Sequence, residues 1–163
     1  MTQFEQVKQT LKNLDISYQM VDHPAVFTTD EADQYIVGIE GVRTKSMFMT
    51  NKKKTAFYLL IMDDAKRLNF HEFEELTGAK RVKMASPESL QEKLGLAPGM
   101  VSIFGLINNQ ERDVQVFFDR DIIEEDRMSF HPNVNTHTIF VATSDVFKFI
   151  HAMNFDYKVL ALD

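Results

Sequence analysis

The chain has no cysteine, and only six glycines and four prolines among its 163 residues. Without a thiol there is no disulfide scaffold, no thiolate zinc site and no cysteine nucleophile, so any hydrolysis must draw on other groups. The five histidines are scattered, and none pairs with another at i, i+4, which leaves a metal site poorly supported. No Gly-x-Ser-x-Gly elbow, phosphate-binding P-loop or glycine-rich dinucleotide fingerprint occurs. That argues against a serine hydrolase and against ATP- or nicotinamide-dependent chemistry. No apolar run is long enough to cross a bilayer, and residues 1–6 have neither the basic region nor the apolar stretch of a signal peptide. The expected location is the cytosol, with no membrane partner. Positive charge is also in deficit. A net charge of −6 weighs against wrapping a long nucleic acid, because Lys and Arg neutralising phosphates supply most non-specific affinity. A small footprint stays open through Lys52-Lys53-Lys54 and Lys80-Arg81 with Lys83, although on charge alone such clusters read as solvated turns.

What is present is the profile of an ordinary globular protein: 44 % hydrophobic residues, 14 phenylalanines and 26 % charged residues. A chain of this length fits a single domain, residues 1–163, burying about two thirds of the surface its unfolded form exposes. Phe4, Val7, Leu11 and Leu14 recur at helical spacing, which predicts a helix over 2–14 with Thr2 as cap. A strand over 18–22 ends at His23-Pro24, and Thr28-Thr29-Asp30-Glu31 opens a short helix to about residue 35. Residues 43–50 and 56–62 read as a β-hairpin joined by the polar tract 51–55. Capped helices follow over 69–77, closed by Gly78, and over 86–94, closed by Gly95. The chain then passes through a loop to residue 108, a strand over 113–118, a short helix over 120–125, and strands over 128–130 and 138–142. Thr143-Ser144-Asp145 caps a helix to about 153, and 158–162 is a closing strand. Strands and helices interleave while hairpins recur, so the class is α/β or α+β with a central mixed sheet flanked by helices.

Three segments are oddly composed: residues 43–49 (Arg-Thr-Lys-Ser-Met-Phe-Met), 104–108 (Phe-Gly-Leu-Ile-Asn) and 130–136 (Phe-His-Pro-Asn-Val-Asn-Thr). Each sets polar, Gly or Pro residues against apolar stretches that core packing alone would not require. Together they supply a cation in Lys45, a proton carrier in His131, amides in Asn108, Asn133 and Asn135, and a glycine turn whose backbone N–H groups a ligand can approach. That set suits a polar small group bearing an ester or a phosphate. On residues alone Lys45 is a strand lysine needing a solvent-facing side or an anionic partner, and Gly105 a glycine in a tight turn.

These segments, with His23-Pro24-Ala25-Val26-Phe27-Thr28 and Gly95-Leu96-Ala97-Pro98-Gly99, resemble the YbaK and ProX-like family, free-standing relatives of the editing domain inserted in bacterial prolyl-tRNA synthetases. The resemblance runs in the family's order from about residue 14 to the C-terminus. It implies the compact α/β architecture of that family and an aminoacyl-tRNA deacylase. The reaction it implies is hydrolysis of the ester of a wrong amino acid on prolyl-tRNA, with alanine favoured over cysteine, using no metal or organic cofactor. The partner is the acceptor end of tRNA(Pro), with transient contact to prolyl-tRNA synthetase or an elongation factor. By the same resemblance Lys45 anchors the terminal nucleotide, His131 fixes the substrate, and backbone N–H groups at Gly105 and Leu106 face the oxyanion. His23, Val26, Phe27, Thr28, Ser46, Asn108, Asn135 and Thr136 line the aminoacyl pocket. Ser46 stands where many relatives have Asn. A non-catalytic module that binds aminoacyl-tRNA or an amino acid is the alternative from a different class.

Overall fold

A computed structural model describes all residues, Met1–Asp163. In chain order the elements are α1 (Gln3–Asn13), β1 (Tyr18–Asp22), α2 (Thr29–Asp33), β2 (Thr44–Thr50), β3 (Phe57–Asp63), α3 (Phe70–Thr77), β4 (Lys83–Met84) and α4 (Pro87–Leu94). A 3-10 helix (Ile103–Asn108) then leads to β5 (Val114–Asp119), α5 (Arg120–Ile123), β6 (Arg127–Phe130), β7 (His137–Ala142), α6 (Thr143–Ala152) and β8 (Tyr157–Leu160). The helix starts follow local chemistry. Thr2 and Glu5 form a reciprocal capping box on α1, and Asn69 and Ser86 accept from the first-turn N–H groups of α3 and α4. Gly78 and Gly95 close those two helices in the left-handed conformation that glycine adopts without Cβ strain.

The strands form two sheets. One is mixed, in the order β4-β2-β3-β5-β8, antiparallel around β2 and parallel from β3 to β8. The other is antiparallel, in the order β1-β7-β6. Composition and interleaving predict the mixed sheet and its flanking helices; the second sheet follows from β1 pairing with β7, more than a hundred residues later. β3 is buried on both faces from Phe57 to Met62, as expected of a strand reading as one unbroken apolar run. Its alternate residues divide the core. Phe57, Leu59 and Ile61 join the larger cluster with Leu94 of α4 and Phe149 of α6, whereas Tyr58, Leu60 and Met62 join a smaller one with Phe73 of α3.

Three local readings change. Residues 103–108 are helical rather than a loop, and β4 is too short to leave a periodic signature. α6 has no side-chain cap, because the capping position falls on Ala142 rather than on Thr143, whose hydroxyl donates to the Glu125 carbonyl at 2.5 Å.

Candidate active site

The two sheets pack against one another through the larger core cluster, and hydrogen bonds link their strands at Thr44 and Ser129. The Thr44 N–H donates to Ser129 Oγ at 3.2 Å, and the Thr44 hydroxyl donates to the Ser129 carbonyl at 2.5 Å. Val42, just ahead of β2, bridges β6 as well, donating to the Arg127 carbonyl and accepting from the Ser129 N–H; beyond these contacts β2 hydrogen-bonds β3 and, at Met49 and Thr50, β4, while β6 pairs with β7. The strands therefore part, and the gap between them is a cleft of about 370 Å³. Its remaining walls come from Phe27 to Ile36 around α2, from β4 and the start of α4 (Met84, Ala85, Pro87, Leu90), and from the turn carrying Pro98, Gly99 and Val101. Lys45 is the sole cationic Lys or Arg of the lining and Asp33 the sole carboxylate; His131 is the sole imidazole.

Residues 43–46 each do something different. The Arg43 guanidinium donates to the carbonyls of Ile36, Ile39 and Gly41 at 2.5–2.6 Å, and so fastens the chain that follows α2. Thr44 joins the sheets. The Lys45 ammonium donates to the carbonyl of Lys66, leaving two N–H donors uncommitted. Ser46 lines the cleft on the same side as Thr44 and Phe48.

His131 lines the cleft from the end of β6. Burial pushes its pKa below the ordinary histidine value, the nearby charge of His23 adds to that, and the His137 carbonyl and Asp33 partly oppose it. The ring is therefore neutral at pH 7. Its Nδ1 lies 3.4 Å from the His137 carbonyl, which can only accept, so that nitrogen carries the proton and Nε2 presents a lone pair without a protein partner.

The loop holding His131 is clasped to residues 23–28. The N–H groups of His23 and Val26 donate to the carbonyls of Thr136 and Asn135 at 2.9 and 3.1 Å. The His23 ring is buried between the Pro24 carbonyl and the Thr138 hydroxyl, both at 2.9 Å, and stacks on Tyr35. His23, Val26, Asn135 and Thr136 thus stand behind the wall rather than in it. Phe27 and Thr28 do line the cleft; Phe27 is 69 % exposed at its mouth, and Thr28 caps α2 by accepting from the Glu31 N–H at 3.1 Å.

The glycine turn goes elsewhere. Gly105 is buried against Leu94 and Leu96, its N–H donates to the Ser102 carbonyl at 3.0 Å, and Leu106 is a core residue. Asn108 donates to the Leu94 carbonyl at 2.8 Å and to Gln3 Oε1 at 3.0 Å. None of the three lines the cleft, so the expected oxyanion donors at Gly105 and Leu106 are corrected: the Gly105 proton is already used within the turn, and Leu106 is shut in the core.

Sequence reasoning passed over the turn that does reach the cleft. Met100 N–H donates to the Ala97 carbonyl at 3.1 Å, with Pro98 and Gly99 between them and Gly99 at φ +87°. This is the type II geometry, for which Pro then Gly is the recognisable signal. The N–H groups of Gly99 and Val101 have no protein acceptor, and both residues line the cleft. Asp33 left no signal at all.

An α/β domain with a cleft where two sheets part, carrying a neutral imidazole and bare backbone donors with a lysine on its lining strand, belongs to the class of small-group binding or acyl-transfer sites. The comparisons narrow this. The chain belongs to the aminoacyl-tRNA editing domain family, whose model matches residues 23–149. It is 29 % identical over 154 residues to the prolyl-tRNA editing protein ProX of Acetoanaerobium sticklandii, covering 93 % of each chain. It is 27 % identical over 161 residues to prolyl-tRNA synthetase associated domain-containing protein 1 of Danio rerio, covering 98 % of this chain and 87 % of that one. Its fold matches a crystal structure described as a candidate trans-editing enzyme for prolyl tRNA synthetase, with a TM-score of 0.77 at 19 % identity over 100 % of this chain and 98 % of the other. No helix is long and apolar enough to cross a membrane, and no group of three or more metal-ligating side chains occurs.

Proposed function

We propose that this protein hydrolyses the ester joining a wrong amino acid to the terminal adenosine of a tRNA, with alanine on tRNA(Pro) as the substrate. The observation that carries this is the cleft's combination of a neutral His131 with a free Nε2 and unpaired N–H groups at Gly99 and Val101, with Lys45 on the lining strand. The need for such an activity is physical. A synthetase pocket built for proline rejects smaller side chains weakly, at roughly 1–3 kcal/mol per missing methylene, and a second hydrolytic sieve supplies the rest.

In this reading the ester carbonyl lies against the 98–101 turn, whose N–H groups take up charge as water attacks, with no reorganisation at the moment of reaction. His131 Nε2 accepts a hydrogen bond from the attacking water or from the ribose hydroxyl beside it. The spare Lys45 donors hold a phosphate or ribose oxygen, and Phe27 at the mouth offers a face for the adenine. No side chain becomes a covalent nucleophile. Deacylation of tRNA(Pro) charged in turn with Ala, Cys and Pro tests the proposal: rapid release of alanine with proline spared supports it. Preferred release of cysteine would move the substrate to the cysteine branch of the family, and rapid loss of proline overturns both.

A second reading draws on the engaged N–H of Gly105 and on Ser46, and has the cleft hold an aminoacyl-tRNA without cleaving it. Binding with no amino acid released at enzyme excess establishes that reading instead.

A further inference from the structure

We propose that Asp33 is the acceptor for the α-ammonium group of the bound aminoacyl moiety, and that Asp64 holds its carboxylate in place. This deepens the deacylase reading and rests on it.

Asp33 ends α2 and is the lone carboxylate lining the cleft. His131 lines the same cleft, and the Asp33 charge acts on its ring. An aminoacyl ester, unlike a simple ester, brings a basic nitrogen one carbon from its carbonyl, and α-amino groups of this kind are largely cationic up to pH of about 7.7–8.0. A carbonyl placed between His131 and the 98–101 turn puts that nitrogen among the lining groups, where Asp33 alone offers a counter-charge. Left without one, the ammonium would be desolvated unpaired.

Asp64 follows β3 and is fixed by its N–H, which donates to the Arg43 carbonyl at 2.9 Å. Its carboxyl meets that of Asp33, and its Oδ2 is buried with neither a side-chain nor a backbone donor in reach. Such an oxygen is costly unless it bears a proton. Burial first, then the Asp33 hydrogen bond and the charges of Asp33, Asp63 and Asp30, push the Asp64 pKa up to about 8. At neutral pH Asp64 therefore donates to Asp33, which leaves the Asp33 carboxylate oriented and free to accept on its cleft side.

The test uses the full chain with alanyl-tRNA(Pro) and with its lactyl analogue, in which a hydroxyl replaces the amine, each rate divided by its uncatalysed rate. The wild-type protein should favour the alanyl ester by roughly tenfold to a hundredfold. Asp33→Asn should remove that preference by slowing the alanyl reaction alone, with the lactyl rate held within about twofold. Asp64→Asn, whose amide still donates to Asp33, should keep the preference. Equal slowing of both esters by Asp33→Asn assigns the acid to the shape of the wall and overturns the proposal. So does a wild-type protein that treats the two esters alike, a result that stands even if the variant fails to fold. In both cases alanyl turnover leaves the deacylase reading intact, whereas a wild-type protein that hydrolyses neither ester ends both.

Discussion

The loop of residues 130–136 and the turn of residues 104–108 look alike as sequence, each placing asparagine beside a phenylalanine and a Pro or Gly. In the fold they have opposite fates. The turn's polar groups are spent on the protein: the Gly105 N–H on Ser102, and the Asn108 amide on Leu94 and Gln3. The loop spends its amide likewise, since Asn133 donates to the Phe104 carbonyl at 3.2 Å and accepts from the Ser102 hydroxyl at 2.9 Å, but it leaves one nitrogen of His131 unspent and facing the cleft. Asn133 therefore ties the working edge to its buttress. What separates a structural polar group from a functional one here is whether the fold delivers a partner.

Breaking the comparison starts with His131→Ala. It should lower kcat/KM for alanyl-tRNA(Pro) by about 10²–10⁴-fold. Wild-type turnover by this variant would remove the loop from the chemistry. Lys45→Ala is expected to lose about tenfold to a hundredfold, chiefly through KM, because an anchoring contact is shared by ground and transition states. On the turn the effects should appear in stability instead. A Cβ on Gly105 would lie 3.0 Å from Leu96 Cδ1 and 3.1 Å from Leu94 Cβ, so Gly105→Ala should cost about 1–3 kcal/mol in denaturant unfolding, with the rate per folded molecule unchanged. A fall in that rate would restore the turn to the site. Asn108→Ala should cost about 1–2 kcal/mol by stranding the Leu94 carbonyl, again without a catalytic effect.

The pH profile sharpens the same contrast. Because the neutral imidazole of His131 is the active form and its pKa is lowered, the acid limb of kcat/KM should fall below pH 6.5 and vanish in His131→Ala. The linked stability has the same direction: the unfolded chain takes up its proton first, so the contribution is complete above 6.5 and is lost as pH falls towards the lowered folded value. Asp64 runs the other way. With its pKa raised from 3.8 to about 8, its folded-state preference for a proton is fully felt at acid pH and is lost as pH rises to 8. Asp64→Asn should therefore raise Tm at pH 8 by about 2–4 °C or more and flatten the decline towards it. A variant with the wild-type slope would show that Asp64 ionises normally.

Much of this fold was legible residue by residue. Ser86-Pro87 and Gly95 bracket α4, Asn69 and Gly78 bracket α3, and the apolar run 57–62 marks the innermost strand, because caps and burial act over a few neighbouring positions. Within the cleft, Lys45, Ser46, Phe27, Thr28 and His131 had been singled out by composition and resemblance, and the structure places all five on its lining. Gly99 has its signal in the Pro-Gly pair, which also falls within the segment that resembles the family. Asp33 had none, since an acid in the first turns of a helix is what helix electrostatics alone would choose.

By itself, then, the sequence determined the elements, their caps, the apolar faces and the inventory of reactive groups, all of which depend on contacts between near neighbours. Which sheet each strand joined, and which polar groups were left without a protein partner, depended on contacts such as Thr44 with Ser129 and Asn133 with Phe104, 85 and 29 residues apart. Those pairings are fixed only when the whole core closes, because a single hydrogen bond is worth too little to select a distant partner until burial has excluded its competitor, water.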